Sequence, residues 1–160
     1  LDSKNTTNLC KQDDNADRNM GYDTNPSFSP DGKYIAWQSM ERDGYESDRT
    51  RLCIYEFASG KKTYVTESFE SGVNEFAWAK DNNTLYFSGV WHGRTNLYQT
   101  NLKGEVKQIT DEVADYVLLG VHPDGKQLLT KCHSMSRADE VYLVNIADGK
   151  KTQLTQENAF

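Results

Sequence analysis

The sequence predicts an all-β fold built from repeated four-stranded antiparallel units, and three observations carry that prediction. First, a short phrase recurs: Phe28-Ser29-Pro30-Asp31-Gly32-Lys33-Tyr34-Ile35-Ala36-Trp37 lines up with the stretch from Trp78 to Phe87 and again with Val121 to Thr130, so that Asp31, Asp81 and Asp124 stand 50 and then 43 residues apart. Second, another phrase follows each copy in the same order. Arg51 to Thr66, Thr95 to Thr110 and Glu140 to Thr155 align, with Gly60, Gly104 and Gly149 coinciding, as do Thr66, Thr110 and Thr155. Third, the chain is 36% hydrophobic and 11% aromatic, with nine tyrosines. That mix suits short strands with one wet face, because aromatic and β-branched side chains pack well on a half-buried pleated surface. A repeat of about 45 residues holding four strands is the blade of a propeller.

The elements follow in order. Leu1 to Cys10 fall on Ile146 to Thr155, with Lys4 where the turn glycine Gly149 stands, so residues 1–24 are expected to hold the last strand of a preceding blade and an inter-blade loop. Blades are expected over 25–72, 73–115 and 116–160. Each opens with an apolar-ending run (Pro26 to Ser29, Val73 to Trp78, Tyr116 to Val121) and turns at Asp-Gly or Asp-Asn, where Gly and Asn tolerate positive φ. The chain returns through a second strand such as Tyr34 to Trp37, then crosses a longer loop to a third, Leu52 to Phe57 in the first blade. A Ser-Gly or Asp-Gly hairpin leads to a short fourth strand ending in Val65, Ile109 or Leu154. Propellers close with about 4 to 8 blades. The expectation is therefore a partial β-propeller, three four-stranded antiparallel blades plus the last strand of a preceding one. Open edges invite another chain, so further blades on both sides, or self-association, are expected partners.

A chain of 160 residues buries roughly 70% of its unfolded surface, enough for a real core. Its 18 Lys and Arg against 24 Asp and Glu give a net charge of −6, which argues against a nucleic-acid partner, whose phosphates need a basic face. No apolar run approaches the roughly 20 residues that cross a membrane, so no membrane partner is expected; no basic-then-apolar leader opens the chain, so any targeting signal would lie outside it. Cys10, Cys53 and Cys132 form no CxxC pair and read as separate thiols.

Catalytic patterns are absent. None of the eleven glycines lies two residues before a serine, so there is no G-x-S-x-G nucleophile elbow, and no catalytic residue is assigned. His92, His122 and His133 carry no HExxH or Cys/His pairing. His122 occupies the repeat position of Ser29 and Ala79, which marks it as structural. Asp13, Asn15 and Asp17 imitate the opening of a calcium loop, but Arg18 replaces the needed Gly and Thr24 the needed Glu. No metal and no cofactor are expected.

The connections between second and third strands gather at one face of a propeller, and loops carry function more often than strands do. The first runs from Glu41 to Arg49; its equivalents carry Trp91-His92-Gly93-Arg94 and His133 to Asp139. Tyr45, Glu46, Asp48, Arg49, Trp91, His92, Arg94 and Arg137 are therefore the candidate recognition residues. The alternative is that Glu46, Asp48, Arg49 and Arg51 pair among themselves to hold the loop.

The Ser-Pro-Asp-Gly-Lys phrase leading into Ile-Ala-Trp resembles the repeat shared by TolB-type propellers and the propeller domains of prolyl oligopeptidase and dipeptidyl peptidase proteins. The run from Tyr22 to Trp37, followed by Met40-Glu41-Arg42-Asp43-Gly44-Tyr45-Glu46-Ser47-Asp48-Arg49 and Arg51-Leu52, is similar to bacterial dipeptidyl peptidases of the prolyl oligopeptidase family, in which an Asp-Gly-Tyr/Phe-Glu-x-Asp-Arg loop recurs. That resemblance implies an intact serine peptidase with an N-terminal propeller and a C-terminal α/β-hydrolase domain bearing a Ser-Asp-His triad. The propeller would gate the active site and help hold the free amino end of a peptide substrate with acidic side chains; a periplasmic or secreted location is implied as well. The sequence departs from the pattern in two ways: the hydrolase domain is missing, and no adjacent Glu-Glu pair occurs. A TolB-like propeller acting as a protein–protein interaction scaffold is the alternative. A propeller glycosidase or lyase is a third reading, and it lacks the paired carboxylates that chemistry needs.

Overall fold

The computed structural model describes residues 6–10, 21–42 and 44–158. Of the expected last strand of a preceding blade, aligned over Leu1 to Cys10, the first five residues lie outside the described residues and Thr6 to Cys10 form no strand; the calcium-loop imitation at Asp13, Asn15 and Asp17 also lies outside the described residues. The rest forms three four-stranded antiparallel sheets. The first holds β1 (Tyr22–Phe28), β2 (Tyr34–Met40), β3 (Arg51–Glu56) and β4 (Lys61–Tyr64). The second holds β5 (Val73–Trp78), β6 (Thr84–Trp91), β7 (Arg94–Asn101) and β8 (Lys107–Gln108). The third holds β9 (Asp115–Val121), β10 (Gln127–Ser134), β11 (Arg137–Asn145) and β12 (Lys151–Gln153). Strands are consecutive neighbours in every sheet.

The first repeated phrase is the corner between the first two strands of each sheet. Ser29, Ala79 and His122 each donate their N–H to the carbonyl five residues on, at 2.8 to 2.9 Å. Inside each corner the aspartate accepts from the backbone N–H two residues ahead: Lys33 to Asp31 at 3.1 Å, Asn83 to Asp81 at 2.9 Å, Lys126 to Asp124 at 2.7 Å. This is the local side-chain turn that Asp favours. The residue after each aspartate is left-handed, with φ of 71° at Gly32, 57° at Asn82 and 71° at Gly125, a region Asn enters far more readily than bulkier residues. In the first corner Ser29 Oγ bonds Asp31 at 2.7 Å; in the third His122 Nδ1 lies 3.1 Å from Asp124. His122 thus has the structural place that its position in the repeat predicts.

The second phrase closes the outer edge of each sheet. The side-chain oxygens of Thr66, Thr110 and Thr155 accept the N–H of Leu52, Leu97 and Val141, each at 2.9 Å. The preceding residues, Val65, Ile109 and Leu154, donate to the carbonyls of those same three residues. A β-branched hydroxyl therefore finishes a ladder that the main chain has stopped providing.

Two expectations need correction. The first strand begins at Tyr22 rather than Pro26, because a bulge lets it continue: the register shifts between Thr24 and Ser27, and Asn25 takes φ 53°. Pro26, with no N–H for the ladder, is tolerated at that bulge. Nor are the second and third sheets' β2–β3 equivalents long loops. Trp91 pairs directly with Arg94 and Ser134 with Arg137, leaving two-residue turns; His92 and Gly93 both have positive φ, the twist that suits a tight hairpin.

The sheets stack face to face in series. One core joins the first two, with Ala36, Leu52 and Ile54 against Leu85, Phe87 and Tyr98; a second joins the others, with Tyr86 and Leu97 against Tyr116, Leu128 and Val144. Alternation along β6 puts Leu85 and Phe87 on one face and Tyr86 on the other, which buries the middle sheet on both sides. Neighbouring corners touch, since Asn82 accepts the N–H of Asp31 at 2.9 Å and Lys80 donates to the Pro123 carbonyl. At the first strands Trp78 donates to the Ser27 carbonyl at 3.1 Å. The arrangement is three blades of an open, partial propeller.

Candidate functional site

The Arg42–Asp48 ion pair ties together the two sides of the loop after β2. Arg42 grips Asp48 through two nitrogens, Nε at 2.9 Å from Oδ2 and Nη2 on Oδ1, the planar bidentate geometry that suits guanidinium and carboxylate. That grip holds the Asp48 carboxyl below the usual carboxylate range and raises Arg42 further. The guanidinium also lies 4.1 Å from the centre of the Tyr45 ring. The Asp48 N–H donates to the Tyr45 carbonyl at 2.9 Å, closing a turn whose tip exposes Tyr45, Glu46 and Ser47. Glu46 makes no ion pair among the described residues.

Arg49 points elsewhere. It donates to the Phe69 carbonyl at 2.7 Å and to Glu67 Oε1 at 3.0 Å, while Arg51 reaches Glu67 Oε2 at 3.1 Å and lies 4.2 Å from the Tyr64 ring centre. The expected pairing of Glu46, Asp48, Arg49 and Arg51 with one another is therefore replaced: Asp48 takes Arg42, and both later arginines take Glu67 on the connector to the next sheet. Sequence reasoning passed over Arg42 and Glu67 because the charges they answer stand 6 to 18 residues away, and only the fold brings them close.

The other candidates sit on the two tight hairpins. Trp91 is 39% exposed and meets His92 edge-on at 4.5 Å. Arg94 pairs loosely with Asp111 at 3.8 Å. Arg137 is exposed at the β10–β11 turn. Beside it stands a cluster that the sequence did not single out: Asp139 accepts from Lys131 at 3.0 Å and meets His133 Nδ1 at 2.9 Å, and the Lys131 bond holds its carboxyl low. Among the described residues no hydrogen bond or ion pair joins the Tyr45–Arg49 loop, the Trp91–Arg94 hairpin and Arg137 to one another. Arg49 is fastened to the connector after β4 and Arg94 to the one after β8. All three emerge from the same end of their sheets, opposite the aspartate corners.

No group of three or more His, Cys, Asp or Glu among the described residues is arranged to hold a metal ion. No described helix is long and apolar enough to cross a membrane.

Comparison with known proteins places this frame. The profile of the family described as "Dipeptidyl peptidase IV (DPP IV) N-terminal region" matches residues 1–138. "Dipeptidyl-peptidase 5" of Porphyromonas gingivalis is 46% identical over 140 residues, covering 87% of this chain and 20% of that protein; its namesake in Porphyromonas endodontalis is 41% identical over the same length and coverage. The chain thus spans about a fifth of the length of these curated relatives. TolB from Acinetobacter baumannii superposes with a TM-score of 0.63 at 20% identity, over 87% of this chain and 33% of that one. The β-propeller domain of the Trilobed protease from Pyrococcus furiosus superposes with 0.62 at 24%, over 81% and 39%. These two likenesses concern the fold.

Proposed function

The chain belongs to the dipeptidyl peptidase IV N-terminal region family, and from that premise we propose that it is the non-catalytic propeller portion of a serine dipeptidyl peptidase of the prolyl oligopeptidase type, gating the active site and helping to hold the peptide. One observation carries the reading: the family match runs through the first two sheets and into the third in a chain without a nucleophile elbow. The hydrolase domain with its triad, and the blades that complete the ring, belong to the rest of the protein in this proposal. Exposed Leu119, Phe28 and Phe57 on the outer sheets are the apolar surface such blades would cover. A periplasmic or secreted location goes with the same reading.

Among the loop residues, Glu46 is the side chain best suited to the substrate's amino end. Asp48 is neutralised by Arg42 and Arg49 by Glu67, whereas the Glu46 carboxylate is exposed on an ordered turn. A peptide α-amino group is largely protonated near neutral pH and gains a charge-assisted hydrogen bond from such a carboxylate. In the full-length enzyme Glu46→Gln is expected to raise KM for free-amine dipeptide substrates about tenfold, roughly 1.4 kcal/mol of binding, with kcat little changed. Unaltered KM would remove Glu46 from the site.

A further inference from the structure

Two clefts open at corresponding places in successive sheet junctions, one with a cation built in and one without. Hydrogen bonds fix the correspondence. Thr110 holds the Leu97 N–H and Thr155 the Val141 N–H, so Tyr98, the next residue on β7, corresponds to Tyr142 on β11. Opposite them stand Gln108 and Gln153, each donating its amide to the carbonyl two residues on, Thr110 or Thr155, at 2.7 Å. Two residues before those glutamines are Val106 and Lys151, which therefore occupy equivalent positions.

At the junction leading into the third sheet the cleft, about 660 Å³, lies between that sheet and the connector at Glu112 to Ala114 and is entered by that lysine. Lys151 Nζ pairs with Glu112 and lies 5.4 Å and 5.5 Å from the ring centres of Tyr142 and Tyr116. A cation between two aromatic rings and a carboxylate is well accommodated. Between the first and second sheets Val106 packs into the core instead, and no Lys or Arg lines the cleft of about 280 Å³ formed by Ser68, Phe69, Glu70, Trp91, Tyr98 and Gln108. Of the groups around Lys151 only the tyrosine recurs, as Tyr98, since Ser68 stands in the place of Glu112; the other walls are this cleft's own. Phe69, Trp91 and Tyr98 supply aromatic walls. Glu70 supplies a carboxylate that makes no ion pair among the described residues. The Tyr98 hydroxyl is buried with no hydrogen-bond partner, in a residue only 4% exposed, and an unmet buried hydroxyl is costly. Arg94, near enough for its charge to be felt at Tyr98, is engaged by Asp111.

We propose that the cleft between the first and second sheets is a binding site for an alkylammonium or alkylguanidinium group, the cation that Lys151 supplies from within the chain at the next junction. The incoming group would stack on Trp91, pair with Glu70 and donate to the Tyr98 hydroxyl. The cleft is preformed, because Arg49 ties the Phe69 carbonyl and Glu67 in place and the Phe69 ring packs against Phe87 and Tyr98 at 5.2 Å and 4.8 Å. The proposal stands independently of the peptidase reading.

The test is a titration of the full-length protein carrying 5-fluorotryptophan, read by fluorine NMR at the Trp91 resonance, which Trp91→Phe identifies. n-Butylguanidinium is the probe and n-butylurea its neutral counterpart. Expected are a saturable shift with the cation only, affinity about tenfold weaker in Glu70→Gln, and loss of the response in Val106→Lys, which builds in the competing cation. A tighter response to acetyl-Gly-Arg-Gly-amide than to n-butylguanidinium would assign the cation to a polypeptide side chain; an equal one, to a small amine or guanidine. Absence of a saturable shift, an equal response to the urea, or unchanged binding in Glu70→Gln overturns the proposal; if Val106→Lys fails to fold, Glu70→Gln alone decides.

Discussion

The junction between the first two sheets makes a sharp prediction about a pair of residues, Gly89 and Phe69. Gly89 lies on β6, and a Cβ placed there would stand 2.7 Å from both Cε1 and Cζ of the Phe69 ring. The backbone at Gly89 is not left-handed, so steric contact with that ring is what forbids a side chain. Gly89→Ala is expected to destabilise by about 1 to 3 kcal/mol, the usual range for overpacking a close-packed site, set against roughly 0.4 to 1 kcal/mol gained by restricting the unfolded chain. Phe69→Ala alone empties a buried aromatic position, 7% exposed, and should cost about 3 to 5 kcal/mol. With the ring gone, the nearest obstacle is the Gly72 carbonyl at 3.2 Å, a contact eased by a few tenths of an ångström. Gly89→Ala in the Phe69→Ala background should then be neutral or stabilising. Urea unfolding of the four members of this cycle, with a probe in the propeller, measures the coupling. Additive effects would refute the claim that Phe69 is the wedge filling this junction.

Other outcomes follow from the same geometry. Thr110→Val keeps the side chain's shape but strips the buried Leu97 N–H and Asn96 Oδ1 of their shared partner; a loss of about 1 to 3 kcal/mol is expected in urea unfolding. The Arg42–Asp48 grip contributes order only while Asp48 is ionised. Because its folded value is depressed, that contribution is complete above the ordinary carboxylate value of about 3.9 and is lost as pH falls through the lower folded value. Amide-exchange protection at Asp48 should therefore persist down through the ordinary carboxylate range and vanish below it, while Arg42→Ala should lack it even at neutral pH.

The parts legible in the sequence are those whose chemistry is local. The corners at Asp31, Asp81 and Asp124 could be read because the aspartate bonds an N–H two residues away and the next residue needs positive φ. The Thr66, Thr110 and Thr155 positions could be read because the ladder they close lies within a single hairpin. Less visible was the extension of β1 to Tyr22, since Pro26 reads as a strand start and the bulge at Asn25 has no composition of its own. The hairpin at His92-Gly93 was hidden because His is an uncommon first residue of such a turn. Site geometry was hardest. Glu67 gives no local sign that it collects Arg49 from the loop before β3 and Arg51 from the start of β3, and nothing near Phe69 in sequence shows that it lies over Gly89. Such contacts depend on how one sheet is laid against the next, which no single segment records.

The most direct test of the central claim, that these sheets shape a peptidase without performing its chemistry, is to label the full-length protein with a serine-directed fluorophosphonate and map the adduct by peptide mass spectrometry. The account predicts a single modified serine outside these 160 residues. An adduct on a serine within them, or a protein that releases dipeptides from a peptide's amino end yet takes no label, would contradict it.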